Sequence, residues 1–167
     1  MKITTRLLAI ALILAAVPLF AQTHDWTSVG NNGRVAPTGA FKITWTGPTL
    51  KFTSISTGDV VALYPVTNTY GSGTSKTPPW TTLWATYRDN SAAGSVTAAL
   101  YEIEECTGVL TQICSITSSD SSSTAQCSSC AFNSNTFDFA NNTYFVKVTL
   151  SRTATSANEE IHSVAIN

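Results

Sequence analysis

Charged residues are scarce in this sequence, and so is histidine. Asp, Glu, Lys and Arg together make up 11% of the chain, and the only histidines are His24 and His162. The nine basic residues do not outnumber the ten acidic ones, so no positive excess is present to attract nucleic acid or an anionic membrane. We therefore expect neither as a partner, and catalysis that depends on a histidine base is disfavoured.

Long apolar runs are also lacking, except at the N-terminus. Lys2 and Arg6 precede an apolar stretch over residues 7–17, and a small residue, Ala21, follows, which is the pattern of a secretory signal peptide. The stretch is shorter than the about 20 residues that a membrane-spanning helix needs. We predict cleavage after Ala21 and a location in the periplasm or outside the cell. The mature chain, residues 22–167, is expected to form a single domain with seven basic and ten acidic residues.

Hydroxyl and apolar side chains take the place of charge. The chain has 27 Thr and 19 Ser, and 43% of its residues are hydrophobic. Threonine is β-branched and suits the pleated surface of a strand, and this apolar content is sufficient for a buried core. Low charge with many hydroxyls is typical of secreted bacterial β-proteins.

Apolar and polar residues alternate with period two, and no stretch after residue 21 has helical periodicity. The alternation predicts a hairpin over residues 41–53, a strand over residues 144–150, and a strand over residues 60–67 whose Pro65 favours an edge position or a bulge.

Two further segments complete the predicted fold. Residues 136–139 read as a short strand, and the Ser-rich residues 118–129 as a surface loop. About eight to ten short strands without helices predict an all-β fold, an antiparallel β-sandwich of jelly-roll type, with an up-and-down barrel as the alternative.

The four cysteines are expected to form two disulfides, because an exported chain meets an oxidising compartment. Three pairings are open. We favour Cys106 with Cys114, across the predicted hairpin, which leaves Cys127 with Cys130. The latter two also match the CxxC pattern of thiol oxidoreductases, but they lie in a Ser-rich segment, and the four spacings do not match a zinc site.

Three segments carry a resemblance. The stretches "PPWTTL", "LYEIEECTG…ICSIT" and "YFVKVTLSRTATSANEEIHSVAI" together resemble small β-sandwich proteins of secreted bacterial origin and the terminal β-sandwich modules of phage fibre proteins. The resemblance spans most of the mature chain and implies the fold alone, because its motifs are framework features and carry no catalytic residues.

Few residues are candidates for catalysis. Glu102 and Glu104 lie on the same side of a predicted strand, at a separation of the order that glycoside hydrolysis needs, but beside Glu105 a solvated acidic face is the ordinary explanation. His162 shares strand parity with Val164 and Ile166 and is expected at the rim of the core. We therefore expect no enzymatic activity, with a small glycan hydrolase as an alternative.

Calcium binding needs clustered oxygen ligands, and some residues in or near loops could supply them: Asp89-Asn90, Asp138 and Asn141-Asn142. No EF-hand or nonapeptide pattern accompanies them. We expect no cofactor and no metal, although the sequence leaves open whether a loop binds calcium.

Two tryptophans in the stretch "PPWTTLWATYRDN" form the candidate binding site. In a strand, Trp80, Trp84 and Arg88 share one face, and the opposite, apolar face is the core side, formed by Leu83, Ala85 and Tyr87. Two indoles about 13 Å apart on the outside of a strand have the reach to stack on sugar rings. Together with Tyr70 from the preceding loop, they predict a site for a ligand such as a polysaccharide.

The predicted function is that of a secreted, non-catalytic β-sandwich that binds a surface glycan or another extracellular ligand. A structural subunit of an extracellular matrix or appendage is the alternative, with self-association through strand edges or an aromatic patch.

Overall fold

The computed structural model of the chain describes residues 26–70, 77–119 and 122–167, so the predicted signal peptide lies outside the described residues. The described strands are β1 (Trp26–Val29), β2 (Arg34–Val35), β3 (Ile43–Thr46), β4 (Thr49–Phe52), β5 (Gly58–Val66), β6 (Thr82–Asp89), β7 (Gly94–Glu104), β8 (Leu110–Thr117), β9 (Ser122–Ala131), β10 (Asn142–Arg152) and β11 (Glu160–Ile166). A four-residue helix, α1 (Pro37–Ala40), joins β2 to β3. Among the described residues, no helix has the length and apolarity to cross a membrane.

The strands form two antiparallel sheets packed face to face. Sheet 1 has the order β3-β4-β11-β6-β9, with β1 also paired to β11, and sheet 2 has the order β2-β5-β10-β7-β8. Between β4 and β11 the chain changes sheet at every connection except the β7–β8 hairpin. This winding is that of a jelly roll, so the predicted β-sandwich is confirmed.

The core lies between the sheets and follows the alternation read from the sequence. On β6 the side chains of Leu83, Ala85 and Tyr87 are buried, and on β10 the even-numbered residues from Tyr144 to Leu150 are buried. Pro65 pairs with β10 on one side, whereas β2 covers β5 only at Ala62 and Leu63 on the other. Its missing N–H therefore faces an open edge, as predicted.

The predicted surface loop over residues 118–129 is wrong, because most of it forms β9. This strand pairs with β6 and is the outermost strand of sheet 1. An edge strand with few buried side chains does not need the apolar alternation that marks a central strand, so its Ser-rich composition conceals it.

The predicted strand over residues 136–139 is also wrong. Phe137 and Phe139 stack at 5.6 Å and both pack against Tyr144. The Tyr144 hydroxyl accepts a hydrogen bond from Asp138 N at 2.7 Å and donates one to Thr136 O at 2.9 Å. A side chain thus satisfies backbone groups that a neighbouring strand would otherwise pair.

The disulfide in the described chain joins Cys114 of β8 to Cys130 of β9, so both predicted pairings are wrong. Cys127 and Cys130 are three residues apart in one strand and therefore point to opposite faces, which rules out their pairing. Cys106 lies in the exposed turn after β7, and Cys106 and Cys127 are free. Because the chain changes sheet between β8 and β9, the bond ties sheet 2 to sheet 1.

Peptide mapping checks this linkage. We expect proteolysis without reduction to release Cys114 linked to Cys130, and alkylation of the intact protein to label Cys106 and Cys127, since both thiols are exposed. Recovery of a Cys106–Cys114 peptide would contradict the observed position of β8 against β9.

Candidate functional site

One strand of sheet 1 presents the main candidate residues. The outer face of β6 carries Thr82, Trp84, Thr86 and Arg88, here called the indole row. Trp84 is 38% exposed, and its Nε1 donates a hydrogen bond to Asn167 Oδ1 at 2.9 Å. Its cross-strand neighbours are small, Ala165 on β11 and Ser129 on β9. The indole therefore stands above its surroundings in a fixed orientation, on the outer face as predicted.

Trp80 is not part of this surface, so the predicted platform of two tryptophans is wrong. Its side chain is 1% exposed and packs edge-on against Phe137, with ring centroids 5.1 Å apart, and against Phe139 at 6.4 Å. Since β6 begins only at Thr82, the alternation of the strand does not extend to Trp80. The aromatic cluster buries the ring at one end of the sandwich.

The charged end of the indole row is an ion-pair network around Glu160. An Arg88 terminal nitrogen donates to Glu160 Oε1, and Lys51 Nζ lies 3.9 Å from the same oxygen. His162 Nε2 lies 3.5 Å from Glu160 Oε2. The Glu160 side chain is 6% exposed, so its neighbours cover it almost completely. Arg88 and Lys51 are thus already compensated by an anion.

A cavity of about 400 Å³ opens beside this network. Most of its lining residues have polar side chains, although more of the lining surface is apolar than polar: Thr44, Lys51, Phe52, Ser54, Asn90, Arg152, Thr155, Ser156, Ala157 and Asn158. Asn158 N donates to Asn90 Oδ1 at 2.8 Å, which joins the turn after β6 to the turn before β11. Lys51 belongs to both the cavity and the Glu160 network. The volume is in the range of small-molecule sites.

The remaining predicted site residues are dispersed. Tyr70 is half-buried, four residues beyond the end of β5, and its backbone N donates to Asn68 Oδ1. Glu102 and Glu104 lie opposite Tyr144 and Asn142, at the far end of β7 from the cavity. His162 is displaced from the parity of Val164 and Ile166 because the register of β11 shifts between Ile161 and Ser163, so its expected place at the core rim is wrong.

The loop residues that could supply calcium ligands do not form one cluster. Asp138 is exposed, and its oxygens accept hydrogen bonds from Ala140 N and Asn141 Nδ2. The hydrogen bond from Asn141, followed by the one from Ala140, lowers the pKa of Asp138. The described residues contain no group of three or more His, Cys, Asp and Glu arranged to hold a metal.

A second exposed surface lies on the outside of sheet 2. Tyr101 and Phe145 are cross-strand neighbours whose rings stack at 5.4 Å, and Tyr101 Oη donates to Gln112 at 2.8 Å. Apolar residues on the same face surround the pair. Together they form the aromatic face: Leu63, Pro65, Tyr101, Ile103, Leu110 and Phe145.

Sequence reasoning missed the cavity and the aromatic face. Asn90 and Asn158 are 68 residues apart and meet only through the β6–β11 pairing, for which the sequence carries no local signal. The aromatic face was detectable in principle, since Tyr101 and Phe145 both alternate with buried residues in strands that the sequence does reveal.

Comparison with solved structures finds a similar fold in a protein described as "xylan-binding module CBM15". The two share 17% sequence identity with a TM-score of 0.47, over 85% of this chain and 94% of that protein. This similarity is too low to transfer a ligand or a binding residue. No protein-family model matches the sequence, and no curated protein matches it at a significant level.

Proposed function

We propose that this protein is an exported, non-catalytic module that binds a neutral glycan along the indole row and in the adjoining cavity. The observation that carries the proposal is an exposed, hydrogen-bonded indole on the strand whose following turn, at Asn90, lines the cavity. An aromatic ring offers a sugar its apolar face, and amides and hydroxyls offer hydrogen bonds to the sugar hydroxyls.

The dimensions favour an extended ligand. Asn90, which lines the cavity, follows Trp84 by six residues, and six strand rises are about 20 Å. A single sugar does not cover that distance, so the site fits a chain of several units. Stacking at Trp84 would anchor one part of the chain and the cavity would receive another.

The charge pattern favours a neutral chain over an acidic one. The cations beside the cavity and on the indole row are Lys51, Arg88 and Arg152. Lys51 and Arg88 already contact Glu160, and the guanidinium of Arg152 already donates to three backbone carbonyls. An acidic sugar would have to compete with that carboxylate for the same nitrogens. Neutral hydroxyls can instead bond to Asn90 and the loop hydroxyls without disrupting an ion pair.

Affinity electrophoresis tests the proposal. The mature protein should be retarded in gels that contain at least one neutral polysaccharide and should run normally with acidic ones. Asn158→Ala should abolish most of the retardation, because the residue lines the cavity. Asn32→Ala is the matched control, since Asn32 is exposed outside the cavity. Normal migration of the parent on every neutral polysaccharide, or retardation by acidic ones alone, would refute the proposal.

Loss of the two carboxylates at the end of β7 should not affect function. Glu104 Oε2 accepts a hydrogen bond from Thr107 within the turn, and neither Glu102 nor Glu104 lines the cavity. We expect Glu102→Gln and Glu104→Gln to leave glycan binding within about twofold of the parent, as measured by the same retardation. Release of reducing sugar by the parent, lost in either variant, would instead establish a hydrolase.

Self-association is the second candidate function, and the aromatic face favours it. Leu110 is 55% exposed and Leu63 39% exposed on a face that also holds Tyr101 and Phe145. A second copy of this chain could cover such an apolar surface. Gel filtration at rising concentration should then show a dimer or larger species that Leu110→Lys dissociates and Ile55→Lys, exposed elsewhere, does not. A monomer at all concentrations would eliminate this candidate.

A further inference from the structure

The exposed indole of Trp84 has one polar group, and a residue from another strand already occupies it. Trp84 Nε1 donates to Asn167 Oδ1 at 2.9 Å, and the two residues are 83 positions apart in the sequence. An indole has a single N–H donor and no acceptor. The bond to Asn167 therefore uses the whole hydrogen-bonding capacity of the Trp84 side chain.

The main chain holds Asn167 in place. Asn167 directly follows β11, and its carbonyl oxygen accepts hydrogen bonds from Thr81 N at 2.7 Å and Thr82 N at 2.9 Å. Its own N–H donates to Thr82 O at 3.1 Å. These three bonds continue the pairing of β6 with β11 by one residue. The acceptor of the indole N–H is therefore attached to the sheet.

The other side of this sheet end is fixed as well. Phe132 N, just after β9, donates to Thr81 O at 2.7 Å. The Phe132 ring packs against Phe137 with centroids 5.6 Å apart, and Phe137 also packs against the buried Trp80. The backbone at Thr81 is thus held from both neighbouring strands, next to the buried aromatic rings. The base from which Asn167 reaches Trp84 is rigid.

The side chains beside Trp84 are too small to hold the ring by packing. Its cross-strand neighbours are Ala165 and Ser129, and its neighbours on the same face of β6 are Thr82 and Thr86. A 38% exposed ring among small side chains has room for more than one rotamer. Ordering a mobile side chain when a ligand arrives weakens binding, and a ring that is already ordered avoids that loss.

We propose that Asn167 is a positioning residue of the glycan site and acts through Trp84. It holds the ring in one orientation before a ligand arrives. It also occupies the indole N–H, so a sugar meets Trp84 only through its C–H groups stacked on the ring face. The sugar hydroxyls must then bond elsewhere, and Ser129 and Thr86 carry the hydroxyls nearest to the ring on this face. The inference rests on the proposed function.

Two substitutions of similar size separate positioning from simple bulk. Asn167→Asp keeps an oxygen acceptor at the end of the side chain, whereas Asn167→Leu removes it. Both keep the three main-chain bonds. We expect Asn167→Leu to weaken binding by about 2- to 12-fold and Asn167→Asp to remain within about twofold of the parent, because the proposed ligand is neutral. Affinity electrophoresis with hydroxyethyl cellulose, glucomannan and dextran gives the affinities.

The indole N–H resonance in a proton–nitrogen NMR spectrum reports the bond itself, without any glycan. The resonance of Trp84 is assigned by its absence in Trp84→Phe. In Asn167→Leu it should shift and exchange faster with solvent, and in Asn167→Asp it should stay hydrogen-bonded. Asn32→Leu, at an exposed asparagine outside the site, is the matched control and should change neither the resonance nor the affinity.

Three results would overturn the inference. The first is an Asn167→Leu variant whose indole resonance has shifted but whose affinity equals that of the parent. The second is an equal loss of affinity in Asn167→Leu and Asn167→Asp. The third is an indole resonance that Asn167→Leu leaves unchanged. If none of the three neutral polysaccharides retards the parent, the failure lies with the proposed function, and this inference falls with it.

Discussion

Replacing Trp84 with alanine should weaken glycan binding by about 1 to 3 kcal/mol, or roughly 5- to 150-fold, while the protein stays folded. The variant lacks the ring on which a sugar would stack. It also lacks the hydrogen bond of 2.9 Å between the indole and Asn167, which orients that ring in the parent. The stability cost should be near 1 kcal/mol, because a partly exposed ring and one hydrogen bond are removed. Isothermal calorimetry with a retained polysaccharide and thermal melts measure the two effects.

Two neighbouring variants provide the controls. Leu83→Ala removes a side chain that is 0% exposed and should cost about 2 to 5 kcal/mol of stability with binding intact in the folded fraction. Trp45→Ala removes an indole that is 53% exposed on the edge strand β3, outside the indole row, and should leave binding unchanged. If Trp84→Ala destabilises more than Leu83→Ala, or if Trp45→Ala weakens binding equally, the indole row is not the site.

The protein should lose stability as the pH rises from about 4.5 to 8, and the buried side chain of Glu159 should be the main cause. Its pKa is 4.5 for the free side chain and about 7 in the fold. The folded state therefore binds the proton more tightly than the unfolded state. The stabilisation that protonated Glu159 contributes is fully present below pH 4.5 and is lost as the pH rises through 7. The loss amounts to about 3 kcal/mol in the free energy of unfolding.

The variant Glu159→Gln isolates this effect. Its amide is neutral at every pH. The difference in unfolding free energy between parent and variant should therefore change as the pH rises from about 4.5 to 8. The charged groups that face Glu159 are Asp89 from β6 and Arg152 from β10, and both are retained. Urea unfolding at pH 5 and pH 8 measures the difference, with Glu105→Gln as the exposed control. Parallel pH curves for parent and Glu159→Gln would show that Glu159 is not protonated in the fold.

Period-two alternation predicted much of the sandwich because it is a local property of the chain. A strand with one buried face must alternate, and β6 and β10 do so along their lengths. The same rule explains its failures. The alternation of β6 predicts an outward side chain at Trp80, but Trp80 precedes that strand. β9 is an edge strand that buries few side chains, so no alternation marks it.

The sequence by itself determined the all-β class, the inward and outward faces of the central strands, and the exposure of Trp84, since each depends on residues close together in the chain. Tertiary structure decided the Cys114–Cys130 partnership and the cavity between the turns at Asn90 and Asn158. These features join strands that lie far apart in sequence. The winding of the jelly roll sets which of those strands become neighbours, and local alternation carries no information about that choice.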